Sequence, residues 1–278
     1  MKCKNPDHGQ FRVWPFIAGI VLYALAVGPC RGAEKLPESS ELTRRMIERA
    51  LAVARGEHTP HYTYEKRSLL EHLDASGQTN TTEQKLYQVT LIAGYPFNRL
   101  VKIQGRDLTS EESKKEERKE ERFRQRYVGA DPKKMAARKE SWVTQQLLDR
   151  YEFVVQERVL VKNRPTLVVN FKPKAENLPN QAIQDRILNR MAGTLWVDEQ
   201  DADTARISAH LTETASLGWF GVLGSLSRCD LSLERQRLPD GVWVNLKQVL
   251  LIHARKVATA MRFRHTEESS GFKKAEKT

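Results

Sequence analysis

Three groups of residues have types and spacings that could do chemistry. His58 and His61 sit three apart, with Glu57 and Glu65 nearby, a partial set of metal-ligand types. Pro60 lies between the two histidines and the spacing implies no third ligand, so a polar loop is the plainer reading. Asp198, Asp201 and Asp203 crowd three carboxylates into one short stretch. The rest of a calcium loop is missing, and a hairpin turn accounts for them better. Cys229 lies on the apolar side of a strand pattern, where it reads as a small buried hydrophobe. There is no Gly-rich phosphate loop, G-x-S-x-G elbow, H-E-x-x-H or paired-cysteine site. No Ser or Cys nucleophile can be nominated without a positioned base. These residues point away from an enzyme and imply neither metal nor cofactor.

The elements that must position any site are mostly strands. The last ninety residues form a continuous antiparallel pattern: 193–198, 204–214, 228–237, 242–252 and 256–265. Cys229, Leu231 and Leu233 alternate with Arg228, Asp230, Ser232 and Glu234, the period of a half-buried strand. Leu238-Pro239-Asp240-Gly241 is a turn: proline presets φ and glycine supplies φ > 0. Earlier strands are expected at 62–73, 83–93, 97–104, 151–160 and 166–172, with hairpin pairing of neighbours as the default. An amphipathic helix through about Ala54, capped by Ser39 or Ser40, carries Leu42, Met46, Ile47, Ala50 and Ala54 on one stripe. It is expected to cover one face or opening of the sheet.

The N-terminus reads as a signal. Lys2, Lys4 and Arg12 precede an apolar run, Val13 to Val27, and small residues follow. The run is shorter than the roughly 20 apolar residues of a spanning helix. Residues 1–32 are therefore expected to direct export. Lipidation at Cys30 would need a small non-proline residue before it, and Pro29 stands there.

The net charge of +11 invites a nucleic-acid reading. Its bases are scattered, however, and no nucleic-acid-binding signature appears, so an anionic membrane surface suits the charge better. Residues 107–149 read as a helical insertion between strands. Their run Glu111 to Arg126 mixes both signs at i, i+3 and i, i+4 spacing, as a solvated helix does. From Ser269 the chain is polar, and residues 269–278 are expected to fray.

One connection is unusual. Leu217 to Leu226 joins two strands with glycines interleaved among Trp219, Phe220, Val222 and Leu223. Connecting loops are usually polar. This one either enters a cavity, lipid layer or partner groove, or folds over the sheet to complete its core.

Tyr62-Thr63-Tyr64 after an N-terminal helix, the strand Gly193-Thr194-Leu195-Trp196-Val197-Asp198 and the hairpin Asp240-Gly241-Val242-Trp243-Val244 resemble the outer-membrane lipoprotein-sorting (LolA/LolB-like) family and its exported bacterial relatives. Val197 and Asn245 depart from that family's wording. The resemblance covers most of residues 36–267 apart from the charged insertion. It implies one domain, 33–268: a mainly β, α+β fold with a half-open antiparallel β-barrel of about ten to eleven strands, helices covering the concave face. It also implies a periplasmic or envelope location and a non-enzymatic carrier or sensor that binds lipid or lipoprotein acyl chains. Candidate lining residues are Tyr62, Tyr64, Phe171, Trp196, Trp243, Met261 and Phe263, with Trp219, Phe220, Val222 and Leu223 from the apolar connection. Core packing is the plain reading of each. The competing function is a protein-binding regulatory module with a filled core and an envelope protein as partner.

Overall fold

The computed structural model describes residues 35–54, 61–128, 145–176, 178–217, 224–256 and 259–275. The segment 1–32 expected to direct export, His58, residues 129–144 of the expected helical insertion and the apolar residues 218–223 lie outside the described residues. Everything below belongs to the unit Leu36–Thr278.

The strands are β1 (Tyr62–Leu73), β2 (Thr79–Ile92), β3 (Tyr95–Ile103), β4 (Arg106–Asp107), β5 (Tyr151–Val161), β6 (Arg164–Pro173), β7 (Met191–Asp198), β8 (Thr204–Leu211), β9 (Ala215–Leu217), β10 (Gly224–Arg237), β11 (Trp243–Lys256) and β12 (Thr259–Lys274). The helices are α1 (Ser39–Ala54), α2 (Ser110–Tyr127), α3 (Gln145–Leu148) and α4 (Ile183–Leu188). All twelve strands belong to one antiparallel sheet, ordered β4-β3-β2-β1-β12-β11-β10-β8-β7-β6-β5, with β9 on β10. The fold is the mainly β, incomplete antiparallel barrel expected from the sequence. The two strands with no counterpart among the ten expected spans are β4 and β9, of two and three residues, too short to show a period.

Two findings depart from expectation. The chain does not fray at Ser269: β12 runs to Lys274 and pairs along β1, from Tyr62↔Lys274 to His72↔Phe263. That partner ladder holds residues 269–274, which lack apolar alternation of their own, and the Tyr64 and Phe272 rings, 5.0 Å apart, anchor this end. Pairing is also not sequential throughout. The first four strands join the sheet through β1–β12, so β4 ends at one edge and β5 begins at the other. Residues 108–150 carry the chain between the two edges.

Local chemistry explains the framework. In the β10–β11 turn Gly241 has φ +85°, and its N–H donates to Leu238 O at 2.9 Å, as the Pro-Asp-Gly sequence requires. Gly193 is confined by neighbouring backbone. A Cβ there would lie 2.0 Å from Ser208 O, so β7 and β8 can approach only through glycine. Helix α2 is a solvated helix, with Thr109 and Glu112 forming a capping box and Lys115–Glu111 and Arg124–Glu120 bridges along its face. It lies beside β3, where Glu116 accepts from Leu100 N–H at 3.1 Å and Lys119 donates to Asn98 O at 2.9 Å. Charged side chains thus occupy backbone groups that an edge strand would otherwise offer to another chain.

Candidate functional site

The site begins with how the concave face is filled. Leu42 and Met46 of α1 are buried in one cluster with Leu167 and Val169 of β6, Leu195 and Val197 of β7, Ile207 of β8 and Leu233 of β10. Each large aliphatic group so buried is worth about 2 kcal/mol, which seats the helix on this half of the sheet. Arginines fix its middle: Arg45 donates to Glu199 O at 2.7 Å, and Arg49 donates to Asp203 at 3.0 Å and to Gly241 O at 3.3 Å.

Following the register across the sheet shows where the cover ends. One row of directly opposed residues runs Val155, Val169, Leu195, Ile207, Leu233, Gln248, Glu267, Ser68, Lys85. The next runs Phe153, Phe171, Gly193, Ala209, Leu231, Leu250, His265, Leu70, Glu83. A third joins Cys229, Ile252, Phe263 and His72. The same face is therefore aliphatic from β5 to β10 and turns mixed and charged from β11 to β2. Leu70, Leu250, Ile252 and Phe263 are only half-buried, and Met261 is 43% exposed.

Two clefts border this face. One, of about 620 Å³, lies between α1 and β5 and is lined in part by Thr43, Ile47, Leu148, Tyr151, Phe153 and Lys174. The other, of about 500 Å³, lies between α2 and β1, β2 and β12, with Lys66, Tyr87, Phe97, Phe123, His265 and Glu267 among its walls. Lys66 pairs with Glu267 at 3.0 Å, and Ser68 Oγ and His265 Nε2 meet at 2.9 Å. Ser68 lies opposite Glu267 and His265 opposite Leu70, so that Ser–His contact is a diagonal cross-strand neighbour of the ladder.

The candidate residues do not converge. Tyr62 is buried in a separate cluster with Leu238, Val242 and Val244, against which Phe272 packs, and the Tyr64 ring meets Phe272 at a tilt of 32°. Phe171 packs against the main core, 5.3 Å from Tyr151 and perpendicular to it. Trp196 is half-buried between the buried Leu195 and Val197, so it points to the opposite face, where the Arg206 guanidinium covers its ring at 4.8 Å. Trp243 is buried, and its Nε1 donates to Asp201 at 2.9 Å. Met261 and Phe263 alone lie on the uncovered part of the concave face. None of these seven lines either cleft.

The carboxylates of the β7–β8 turn are held by arginines from distant segments. Asp198, fully buried, accepts both arms of Arg164 at 2.5 and 2.8 Å and the N–H groups of Gln200 and Asp201. Asp201 accepts from Arg237 at 2.6 Å as well as from Trp243. Asp203 is shared by Arg49 and Arg235. This is a hairpin lock with its negative charge already matched, and among the described residues no cluster of His, Cys, Asp or Glu could hold a metal ion. Only the acidic half was visible in the sequence. Arg164, Arg235, Arg237 and Arg49 carried no local signal that they belong to it.

Cys229 is buried in the main cluster and burial pushes its thiol up, in keeping with a structural role. Tyr151 floors the first cleft, donates to Leu188 O at 2.8 Å, and burial pushes its phenol up to about 12. The raised value sets the sign. Below the ordinary value of 10 the phenol is neutral whether folded or unfolded, and its contribution is fully present. Between there and about 12 the unfolded chain ionises first, so stability falls as pH rises. Tyr151→Phe should remove the latest-titrating phenol from a tyrosinate absorbance titration and flatten that alkaline fall in stability. An unchanged titration would remove Tyr151 from this role.

No family model matches the chain, and no curated protein sequence matches it. Solved structures do align with it over most of its length. One is a domain from Vibrio parahaemolyticus provisionally named as an outer membrane lipoprotein-sorting protein: 8% identity over 83% of this chain and 92% of that one, TM-score 0.33. A LolA superfamily protein from Nitrosomonas europaea aligns at 8% identity over 85% and 94%, TM-score 0.27. The Pseudomonas aeruginosa MucA/MucB complex aligns at 10% identity over 85% and 100%, TM-score 0.25. At these levels the alignments assign neither ligand nor partner to this chain.

Proposed function

We propose that the protein is an exported, non-enzymatic binding protein of the cell envelope that holds an acyl chain of a lipid or lipoprotein on the uncovered part of its concave face. The observation that carries this reading is the strip Leu70, Leu250, Ile252, Met261 and Phe263. It continues the apolar rows of the core but stays half-buried or exposed. An alkyl chain laid there would gain about 0.8 kcal/mol per buried CH₂. Lys66, Lys85 and His265 lie on the same face, Lys66 paired with Glu267 and Lys85 with Glu83. The basic, apolar segment 1–32 supports export.

A second reading, a protein-binding regulatory module, is favoured by the seat of α1, since Leu42 and Met46 already fill the face over β6 to β10. Mass spectrometry of organic extracts from gently purified protein separates the two. Near-stoichiometric acyl chains are expected, and Met261→Asp should lower them about tenfold, the effect of losing roughly 1.4 kcal/mol of binding. Extracts with only trace lipid would sink the carrier reading.

A further inference from the structure

The β11–β12 hairpin ends in a group of bases. Arg228, His253 and Arg262 are directly opposed across β10, β11 and β12. Cys229, Ile252 and Phe263, one residue along, form a row of the concave face, so these three point to the convex side. Arg255 lies two residues beyond His253, opposite Ala260, and is the diagonal neighbour of Arg262. Lys256 follows as the last residue of β11, on the concave side with Met261. We propose that this hairpin tip, through Arg255, Lys256 and Arg262, docks the protein on the phosphate head groups of an anionic lipid bilayer, with the acyl strip opening toward that surface. The role of the strip rests on the carrier reading above; the docking of the tip does not.

The charge at the tip is not matched within the fold. Arg228 has Asp230 at 2.7 Å, and in the next row Arg264 has Glu71 at 3.3 Å. Asp74, in the turn after β1, accepts from Ser76 and from the Gln78 N–H. Among the described residues no carboxylate pairs with Arg255, Lys256 or Arg262. The five bases Arg228, Arg255, Lys256, Arg262 and Arg264 thus stand against two acids, Asp230 and Glu71. The like charges act on one another. Burial first, then Arg228 and Arg262 on either side, hold the His253 imidazole below its ordinary value. Such repulsion destabilises the ladder, and an anionic partner relieves it.

The shape suits a broad surface. Pairing of β12 with β1 begins at Phe263, so Thr259 to Arg262 have no partner on β1 and carry the hairpin past its last paired residue. Arg255, Lys256, Thr259, Ala260 and Met261 are all exposed. A guanidinium fork meets phosphate oxygens at two points. Apolar continuity favours a bilayer over a nucleic acid. Met261, 43% exposed, adjoins Arg262 and ends the strip of Phe263, Ile252 and Leu250. An acyl chain leaving the bilayer between the bound head groups would meet that strip at once.

Co-sedimentation of the full chain with vesicles tests this, comparing neutral phosphatidylcholine with vesicles holding about one-third phosphatidylglycerol. The apolar run 13–27 is common to every variant, and the neutral vesicles measure its share. Acidic vesicles should bind about a hundredfold more tightly, the effect of three bases near the surface, and the gain should shrink as salt is raised. Arg255→Gln, Lys256→Gln and Arg262→Gln together should lose most of that gain, whereas Arg255→Lys with Arg262→Lys should keep it. Lys114→Gln, Arg118→Gln and Arg122→Gln remove the same charge from exposed positions of α2 and should change binding less than about threefold. Equal loss in the α2 variant, no preference for acidic vesicles, or a preference that survives the glutamines at the tip would overturn the proposal. So would release by millimolar inorganic phosphate at constant ionic strength, since the cluster would then be a site for a small anion. Copurified acyl chains without the vesicle preference would overturn the docking alone; trace lipid with the preference intact would support the docking and sink only the carrier reading.

Discussion

Asp198→Ala should cost about 3–5 kcal/mol of folding stability, the range for breaking a buried ion pair by removing one partner. Asp198 is fully buried and holds four donors at once: two from Arg164 and the N–H groups of Gln200 and Asp201. Truncation leaves the turn donors without an acceptor and the Arg164 charge without its counterion. The side chain of Arg164 remains 25% exposed, so water recovers part of the loss and the lower end of the range is expected. For a domain of this size about 1 kcal/mol corresponds to 2–4 °C, so the midpoint should fall by roughly 6–12 °C. Asp198→Asn keeps an acceptor for the turn amides and should lose about half as much. Thermal unfolding followed by circular dichroism reads both variants. A loss below about 1 kcal/mol for the alanine variant would mean that the ion pair is not what holds the hairpin.

Leu42→Ala should cost about 2–5 kcal/mol and loosen α1 before the sheet. Leu42 is 2% exposed and is the deepest contribution of the helix to the main cluster. Removing it leaves a cavity between α1 and β6–β10 that the short helix fills poorly. Because Arg49 still tethers the later turns, the first turns should show it most. Amide exchange in 39–46 is expected to speed up more than exchange in β7 or β8. Uniform acceleration across the sheet would mean that α1 is integral to the sheet rather than seated on it. The result bears on function too, because a helix released this way would extend the apolar face available to an acyl chain.

Much of this architecture could be read from local sequence. Period-2 alternation gave β10 through β12 and most of β1 to β8, and the Pro-Asp-Gly turn was specified by φ preferences within four residues. The stripe of Leu42 and Met46 marked α1 as a cover. The ion cluster was half legible: Asp198, Asp201 and Asp203 stand together in the sequence, whereas their arginines come from α1, β6 and β10. The candidate lining residues show the same limit. Trp196 and Phe171 belong to strands whose alternation is clear, yet one points away from the core and the other packs into it.

What the sequence determined by itself was the set of strands, their hairpin turns and the helix that caps them, because each depends on neighbours a few residues away. What only the tertiary structure decided was which strands sit side by side and in what register. Pairing β12 with β1 joins residues about two hundred positions apart, such as Ser68 and Glu267. That ladder alone extends the last strand to Lys274, makes the second half of the concave face a mixture of apolar and charged side chains and leaves β5 at an edge. Alternation tells a strand which side chains share a face. It says nothing about what the adjoining strand places beside them, and that juxtaposition is what makes a surface greasy, charged or open.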